Sequence, residues 1–308
     1  MNVIECRNVS KRFDNFVAVD NLSFEVPEGS IFGLLGPNGA GKTTTIRMIV
    51  DIFAPDTGEV VVFGDRIAPE ARKRIGYLPE ERGLYKKMRI GEQLLFFARI
   101  RGIEAEEAKR RIDTWLRRLE LFEWKEKKAD ELSKGMQQKV QFIATVLPDP
   151  DLLILDEPFS GLDPISVGML KSVIVELKQR GKTIIFSSHQ MEQVEQMCDD
   201  ICLISHATKI LGGRLREIKR QFGRDTIRLG FDGPDGFLKQ QQFGRVTRRG
   251  DHVEIVLENG ATSRDVLQFA LAAGVSITRF ELVEPSLNDI FIESVTNSNG
   301  TNNTHHSA

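Results

Sequence analysis

The sequence predicts an α/β fold built around a mostly parallel sheet. Three continuous apolar runs, residues 31–35, 152–155 and 183–186, are typical of parallel strands that helices cover on both faces. Each run ends at a polar cluster, and the cluster after the first run is a glycine-rich loop. Because ligands of such sheets bind at the carboxyl ends of the strands, a single site is predicted at that edge.

Shorter segments near the N-terminus predict a peripheral antiparallel sheet. Ile4 and Cys6 alternate with polar residues, as do Leu22, Phe24 and Val26, and another apolar run covers residues 60–63. This alternation is typical of short strands with one buried face.

The glycine-rich loop reads GPNGAGKT and lies between a predicted strand and a predicted helix. In this context the pattern predicts phosphate binding, because glycines allow backbone N–H groups to surround phosphate oxygens. We expect Lys42 to bridge the β and γ phosphates, Thr43 to ligate Mg²⁺ and Thr44 to reach an α-phosphate oxygen. The helix that opens at Lys42 directs the positive end of its dipole to the same place. The loop itself consists of Gly36, Pro37, Asn38, Gly39, Ala40, Gly41, Lys42 and Thr43.

Two acids and a histidine follow the other buried strands. Asp156 is placed to orient Mg²⁺ and Glu157 to polarise an attacking water. His189 closes the third apolar run and is interpreted as a γ-phosphate contact. A solvated turn at the acids and a structural histidine at 189 are the alternative interpretations.

Ser133 stands before a helical pattern with Val140, Ile143 and Leu147 on one face. It is predicted to cap that helix, and a second helix N-terminus is another potential anion site. By itself this pattern also describes an ordinary capped helix.

The chain is long enough for a large domain and a smaller one. We assign residues 1–222 to the first domain, with a helical insertion at about 88–135, and residues 223–295 to a small α/β domain. The polar tail, 296–308, is expected to be disordered.

Composition excludes several classes of protein. Of the 308 residues, 28% are charged with a net charge of −2, which gives neither a nucleic-acid footprint nor a polybasic membrane anchor. No apolar run reaches the roughly 20 residues that span a bilayer. The three cysteines lack metal spacing and are interpreted as reduced, buried thiols, which suits the cytoplasm.

In this order, GPNGAGKT, LSKGMQQKV at 132–140, LLILDEP at 152–158, SGLD at 160–163 and His189 resemble the ATP-binding subunit of ABC transporters. The resemblance covers about residues 2–215. It implies a P-loop NTPase of the ABC type that hydrolyses Mg-ATP, with two copies packed head to tail.

The resemblance also implies roles for individual residues. Ser133 and Gly135 would contact the γ-phosphate that the second copy holds, and Asp163 would belong to the loop that couples the two sites. Phe13 would stack on adenine, although from the sequence alone it is equally well an apolar anchor. Residues near 77–90, with the helical insertion, resemble the surface that receives a separate transmembrane permease.

Two positions depart from the family pattern. Glu80 stands where a glutamine usually senses Mg²⁺ and the attacking water, so a carboxylate is expected near the metal. Lys134 and Met136 replace the usual Gly and Gln of the signature. The phrases GYLPEERGLYKKM and EPSLNDIFIESV resemble the sodium-extrusion and multidrug-export branch.

These observations predict a cytoplasmic ATPase, peripheral on the inner face of the membrane, that drives a separate exporter and binds no nucleic acid. A soluble ABC-type ATPase acting on ribosomes or DNA is the alternative. A regulatory nucleotide binder that does not hydrolyse ATP is a third, disfavoured by Glu157 and His189.

Overall fold

The computed structural model describes residues 1–65, 69–81, 83–222, 226–239, 243–258 and 260–301. The chain divides into two compact units, Met1–Gly213 and Arg214–Ala308.

The first unit contains a six-stranded sheet and a three-stranded sheet. The larger sheet has the order β5-β6-β7-β3-β8-β9, and the four strand pairs from β5 to β8 are all parallel. The smaller sheet, β2-β1-β4, is antiparallel. The strands are β1 (Asn2–Phe13), β2 (Phe16–Pro27), β3 (Ile31–Leu35), β4 (Thr57–Val62), β5 (Ile75–Leu78), β6 (Leu152–Asp156), β7 (Thr183–Ser188), β8 (Asp200–Ser205) and β9 (Thr208–Arg214).

The prediction of an α/β fold with a mostly parallel core sheet is confirmed. Strands β3 and β6 are completely buried along their length, as their continuous apolar sequences require. Leu35 pairs with Ser188 and Asp156 pairs with Ser187, so these three strands end at the same level.

Helices surround the larger sheet and form the insertion between β5 and β6. They are α1 (Lys42–Ile49), α2 (Pro69–Lys73), α3 (Ile90–Ile100), α4 (Ala105–Arg118), α5 (Lys134–Val146), α6 (Pro164–Gln179) and α7 (Met191–Met197). The insertion holds together through a buried stripe of small and branched residues, including Leu94, Ala98, Ile112 and Leu116.

The second unit is an antiparallel sheet, β11-β12-β10-β13, with its own apolar core. Its elements are α8 (Leu215–Phe222), β10 (Thr226–Asp232), β11 (Gly244–Arg249), β12 (His252–Leu257), α9 (Ser263–Ala272), β13 (Ser276–Val283) and α10 (Leu287–Thr301). Ile227, Ile255 and Val266 are fully buried in that core.

The division between the units falls nine residues before the predicted boundary at 222. Helix α8, assigned to the first domain from sequence, packs instead against α10, and Lys219 lies 3.5 Å from Glu284. The sequence around α8 does not indicate this packing, because α10 lies about 70 residues further along the chain.

The tail also differs from the expectation of disorder from residue 296. The backbone of α10 continues through Thr301, because a helix anchored by the buried Leu287 and Ile290 can add one hydrogen bond per residue. The rest of the predicted tail, 302–308, lies outside the described residues. In the part of the chain that the structure describes, no helix combines the length and apolar character of a membrane span.

Candidate nucleotide site

The glycine-rich loop joins β3 to α1, as predicted. Gly41 has φ of 105°, and a Cβ there would lie 2.3 Å from the carbonyl oxygen of Ala18. Gly36 has φ of 150°, and a Cβ there would lie 2.1 Å from the carbonyl oxygen of Ile204. Only glycine can turn the chain at these two points, so the loop geometry depends on them.

Lys42 is the first residue of α1 and is only 6% exposed. Its Nζ donates hydrogen bonds to the carbonyl oxygens of Gly36 (2.9 Å) and Pro37 (3.1 Å) and lies 3.9 Å from Oε1 of Glu157. Burial lowers the pKa of Lys42, although nearby carboxylates act in the opposite direction. The loop therefore holds a desolvated cation beside one of the acids.

Ser187 links the two acids at the end of β6. Its Oγ donates to Oδ1 of Asp156 at 2.5 Å and accepts the backbone N–H of Glu157 at 3.0 Å. Asp156 is completely buried, and its other oxygen, Oδ2, has no hydrogen-bond partner. A buried carboxylate oxygen without a partner is costly unless a ligand satisfies it.

Glu157 is held in an unusual backbone conformation, with φ of 49°. Such a left-handed conformation is uncommon for residues other than glycine, and it occurs often at functional sites. Its Oε1 lies 2.9 Å from Nδ1 of His189, whose side chain is 45% exposed. The structure therefore brings Lys42, Glu157 and His189 together, as the sequence predicted.

Lys42 and Glu157 border a cleft of about 350 Å³, whose described lining includes neither His189 nor Asp156. Glu80, Lys42 and Glu157 form its charged part, and the exposed Phe16 lies at its apolar part. The full lining is Phe16, Ala18, Asn38, Gly39, Gly41, Lys42, Thr43, Thr44, Glu80 and Glu157. The cleft is thus lined by residues of the phosphate loop, by Thr43 and Thr44, and by Glu80, which departs from the family pattern.

The donor set fits a magnesium ion. Asp156 offers the unpartnered, buried oxygen Oδ2 at the end of β6, and Thr43 and Glu80 line the cleft. Oxygen donors are those that Mg²⁺ prefers, and it is commonly held by one or two carboxylates together with substrate phosphates. Among the described residues no three His, Cys, Asp or Glu side chains form an all-protein metal cluster.

Phe13 does not line the cleft in the described structure. Its ring packs edge-on against Phe53, with centroids 5.5 Å apart, and Lys11 lies over both rings. Phe16, its pairing partner across the β1–β2 turn, lines the cleft instead and is 60% exposed. Sequence analysis missed Phe16, although a second aromatic residue three positions away was visible.

Ser133 and Gly135 are also absent from the lining of the cleft, as far as the described residues show. Ser133 caps α5, accepting the N–H of Met136 at 3.2 Å, and it is exposed. Asp163 caps α6, and hydrogen bonds from the hydroxyl and N–H of Ser166 lower the pKa of its carboxyl. Ser133 and Asp163 thus cap their helices, and neither they nor Gly135 belong to the described lining of the cleft of their own chain.

A phosphate loop at the end of the parallel strand β3, a buried lysine, and two acids at the end of β6, which β7 separates from β3, define a P-loop ATPase. The comparisons with known proteins give its family. Residues 19–160 match the model of the ABC transporter family, and residues 213–295 match the C-terminal domain of ATP-binding proteins like DrrA1-3.

Relatives extend the match over nearly the whole chain. The chain is 45% identical over 290 residues to an uncharacterized ABC transporter ATP-binding protein, YhaQ, of Bacillus subtilis, covering 94% of this chain and 97% of the relative. It is 39% identical over 236 residues to Nod factor export ATP-binding protein I of Burkholderia pseudomallei, covering 75% and 77%. The chain belongs to the ABC transporter ATP-binding proteins, and it is an ATP-binding ATPase.

Solved structures agree with the fold. An ATP-binding subunit of an ABC transporter aligns with a TM-score of 0.67 at 32% identity, covering 72% of this chain and 93% of that one. A dimeric bacterial ABC transporter cassette aligns with a TM-score of 0.65 at 22% identity, covering 69% and 99%. The second likeness is one of fold alone.

Proposed function

We propose that the chain is the ATP-hydrolysing subunit of an ABC exporter, which dimerises head to tail around two Mg-ATP and drives a separate membrane permease. The proposal of a dimer rests on one observation: the two groups of residues that would form a complete site do not lie together in one chain. The cleft has the phosphate loop and the acids, whereas Ser133 and Gly135 lie at an exposed helix N-terminus outside its described lining. A second copy facing the first in the opposite direction supplies the missing half.

The chain's own residues have distinct tasks in this proposal. Lys42 and the loop N–H groups bind the β and γ phosphates, and Phe16 or Phe13 packs on the adenine. Glu157 accepts a proton from the attacking water, while His189 orients that carboxylate and contacts the γ-phosphate. When bound, Mg²⁺ neutralises charge on the phosphates, and Thr43, Asp156 and Glu80 would hold it.

An exposed apolar surface supports a permease partner. Tyr85, Phe96 and Phe97 form an aromatic cluster with centroid distances of 5.8 to 6.2 Å, and Ile100 beside them is 66% exposed. Next to these side chains is a pocket of about 240 Å³. Exposed aromatic patches of this kind mark interaction sites, and the resemblance assigns this region to the permease.

The proposed location is the cytoplasmic face of the membrane, where such a permease would hold the chain. The resemblance to the sodium-extrusion and multidrug-export branch puts the cargo among sodium and drug-like compounds. One relative is named for the export of Nod factor.

Copurification tests the partner. A six-helix membrane protein encoded next to this chain should copurify with it, and Phe96→Ala with Tyr85→Ala should abolish that association while ATP binding persists. Recovery of ribosomes in place of a membrane protein would contradict the proposal.

A further inference from the structure

Helix α5 contacts both loops that carry the acids of the cleft. The side chain of Gln138 donates from Nε2 to the carbonyl oxygen of Pro158, at 3.2 Å, directly after Glu157. One turn later, Nε2 of Gln141 donates to the carbonyl oxygen of Glu81, also at 3.2 Å. The helix capped by Ser133 is therefore hydrogen-bonded to the segments on both sides of the cleft.

The segment that bears Glu80 is held at two points. Besides the contact to Glu81, Oγ1 of Thr145 lies 3.4 Å from the carbonyl oxygen of Tyr77 and 2.9 Å from that of Gln141. Residues 77 and 81 flank Glu80, whose own side chain lines the cleft. The position of the Glu80 carboxylate thus depends on a helix that is not itself part of the cleft.

Gln141 leaves one polar atom of α5 buried and unsatisfied. It is 6% exposed, and its Oε1 is buried without a hydrogen-bond partner. An apolar side chain of the same length would fill the space without leaving an acceptor unsatisfied. The hydrogen bond to the carbonyl oxygen of Glu81 is therefore what an apolar side chain at this position would lack.

We propose that Gln141 is a positioning residue, which fixes Glu80 in the nucleotide cleft and transmits to it the displacement of α5 when Ser133 meets the partner's nucleotide. The inference rests on the proposed head-to-tail dimer and on the role of Glu80 beside Mg²⁺. Without the amide, the segment at 77–81 loses its anchor after Glu80 and the carboxylate samples unproductive positions.

The test uses the full chain with Gln141→Met, which keeps the length of the side chain and removes its polar atoms. The matched control is Gln93→Met. Gln93 is likewise buried, and in the described structure its side-chain hydrogen bonds are to the backbone of Tyr85, with Oε1 accepting the N–H at 2.8 Å, rather than to residues 77–81. If Gln141→Met does not fold, Gln141→Leu is measured in the same way.

Hydrogen exchange of the nucleotide-free protein is the first measurement. Peptides that cover residues 77–81 should exchange faster in Gln141→Met than in the wild type or Gln93→Met. Turnover should fall about fivefold, as expected for one lost hydrogen bond in the active arrangement, while the Kd for ATP stays within about twofold.

A double-mutant cycle with Glu80→Gln separates positioning from general damage. If Gln141 acts through Glu80, its replacement should lower turnover by less than about twofold when Glu80 is already changed. Equal losses in both backgrounds, an equal loss in Gln93→Met, or unchanged turnover or exchange in Gln141→Met would overturn the inference.

A different result would contradict the proposed head-to-tail dimer itself. Full activity of Ser133→Ala would contradict the dimer, whereas loss of activity in Ser133→Ala beside normal Gln141→Met would contradict only the positioning role.

Discussion

Nδ1 of His189 lies 2.9 Å from Oε1 of Glu157, and the same oxygen is 3.9 Å from the ammonium of Lys42. The carboxylate of Glu157 therefore faces two groups: His189, which is proposed to contact the γ-phosphate, and Lys42, which is proposed to bind the β and γ phosphates. The strained backbone of Glu157 and the hydrogen bond from its N–H to Ser187 keep it there.

The first prediction concerns Glu157→Gln. The amide keeps the shape of the side chain but cannot accept a proton, so turnover should fall at least about 10²-fold. ATP binding should persist, and the closed dimer should last long enough to appear in size-exclusion chromatography with ATP. Normal turnover in this variant would remove Glu157 from the chemistry.

Lys42→Ala should act on binding instead. Loss of a charge-assisted hydrogen bond to phosphate should raise the Kd for ATP about 10- to 100-fold. Lys109→Ala is the control, because Lys109 lies on α4 and its side chain forms an ion pair with Glu106 on the same helix. Equal affinities of the two variants for a fluorescent ATP analogue would contradict the assignment.

Glu80→Gln should raise the Mg²⁺ concentration at half-maximal turnover. A full charge about 4 Å from the ion is worth about 1 to 4 kcal/mol, so a shift of about fivefold or more is expected. Glu81→Gln is the matched control, since the neighbouring side chain is 87% exposed and pairs with Arg47. An unchanged Mg²⁺ titration would remove Glu80 from the metal site.

The buried thiols predict a loss of stability at high pH. Burial raises the pKa of Cys202 from 9.0 to about 12, and it also raises those of Cys6 and Cys198. The unfolded chain ionises its thiols first, so the contribution of each thiol to stability is fully present below pH 9 and falls as the pH rises further; for Cys202 it is lost between pH 9 and about 12.

Thermal unfolding between pH 8 and 11 measures this effect. Each thiol should contribute a slope of up to about 1.4 kcal/mol per pH unit, and Cys202→Ala should reduce the slope. In the folded protein at pH 8, iodoacetamide should leave the thiols unmodified, whereas all three should react in denaturant. Rapid labelling of the native protein would contradict their burial.

Local sequence patterns predicted that Lys42, Glu157 and His189 lie close together, and they do. The phosphate loop, the start of α1 at Lys42 and the acids at 156 and 157 each depend on neighbours in the sequence, and the structure places the loop, Lys42 and Glu157 around one cleft. The level at which the strands end follows from the length of their apolar runs.

Residues that depend on distant pairing escaped prediction. Ser187 meets Asp156 only because β6 and β7 adopt one register, 31 residues apart. Gln141 lies outside the motif LSKGMQQKV, and nothing in that motif indicates the partner of Gln138; the acceptors of Gln138 and Gln141 lie 20 and 60 residues away. Helix α8 was assigned to the wrong side of a boundary for the same reason.

Mixing two defective variants tests the shared site most directly. Ser133→Ala and Lys42→Ala should each be nearly inactive alone, but a mixed dimer contains one site with an intact loop and an intact Ser133. Random pairing predicts recovery towards about a quarter of wild-type turnover, because half of the dimers are mixed and each has one complete site. If each site were built within a single chain, the mixture would remain as inactive as the separate variants, and the account would be wrong.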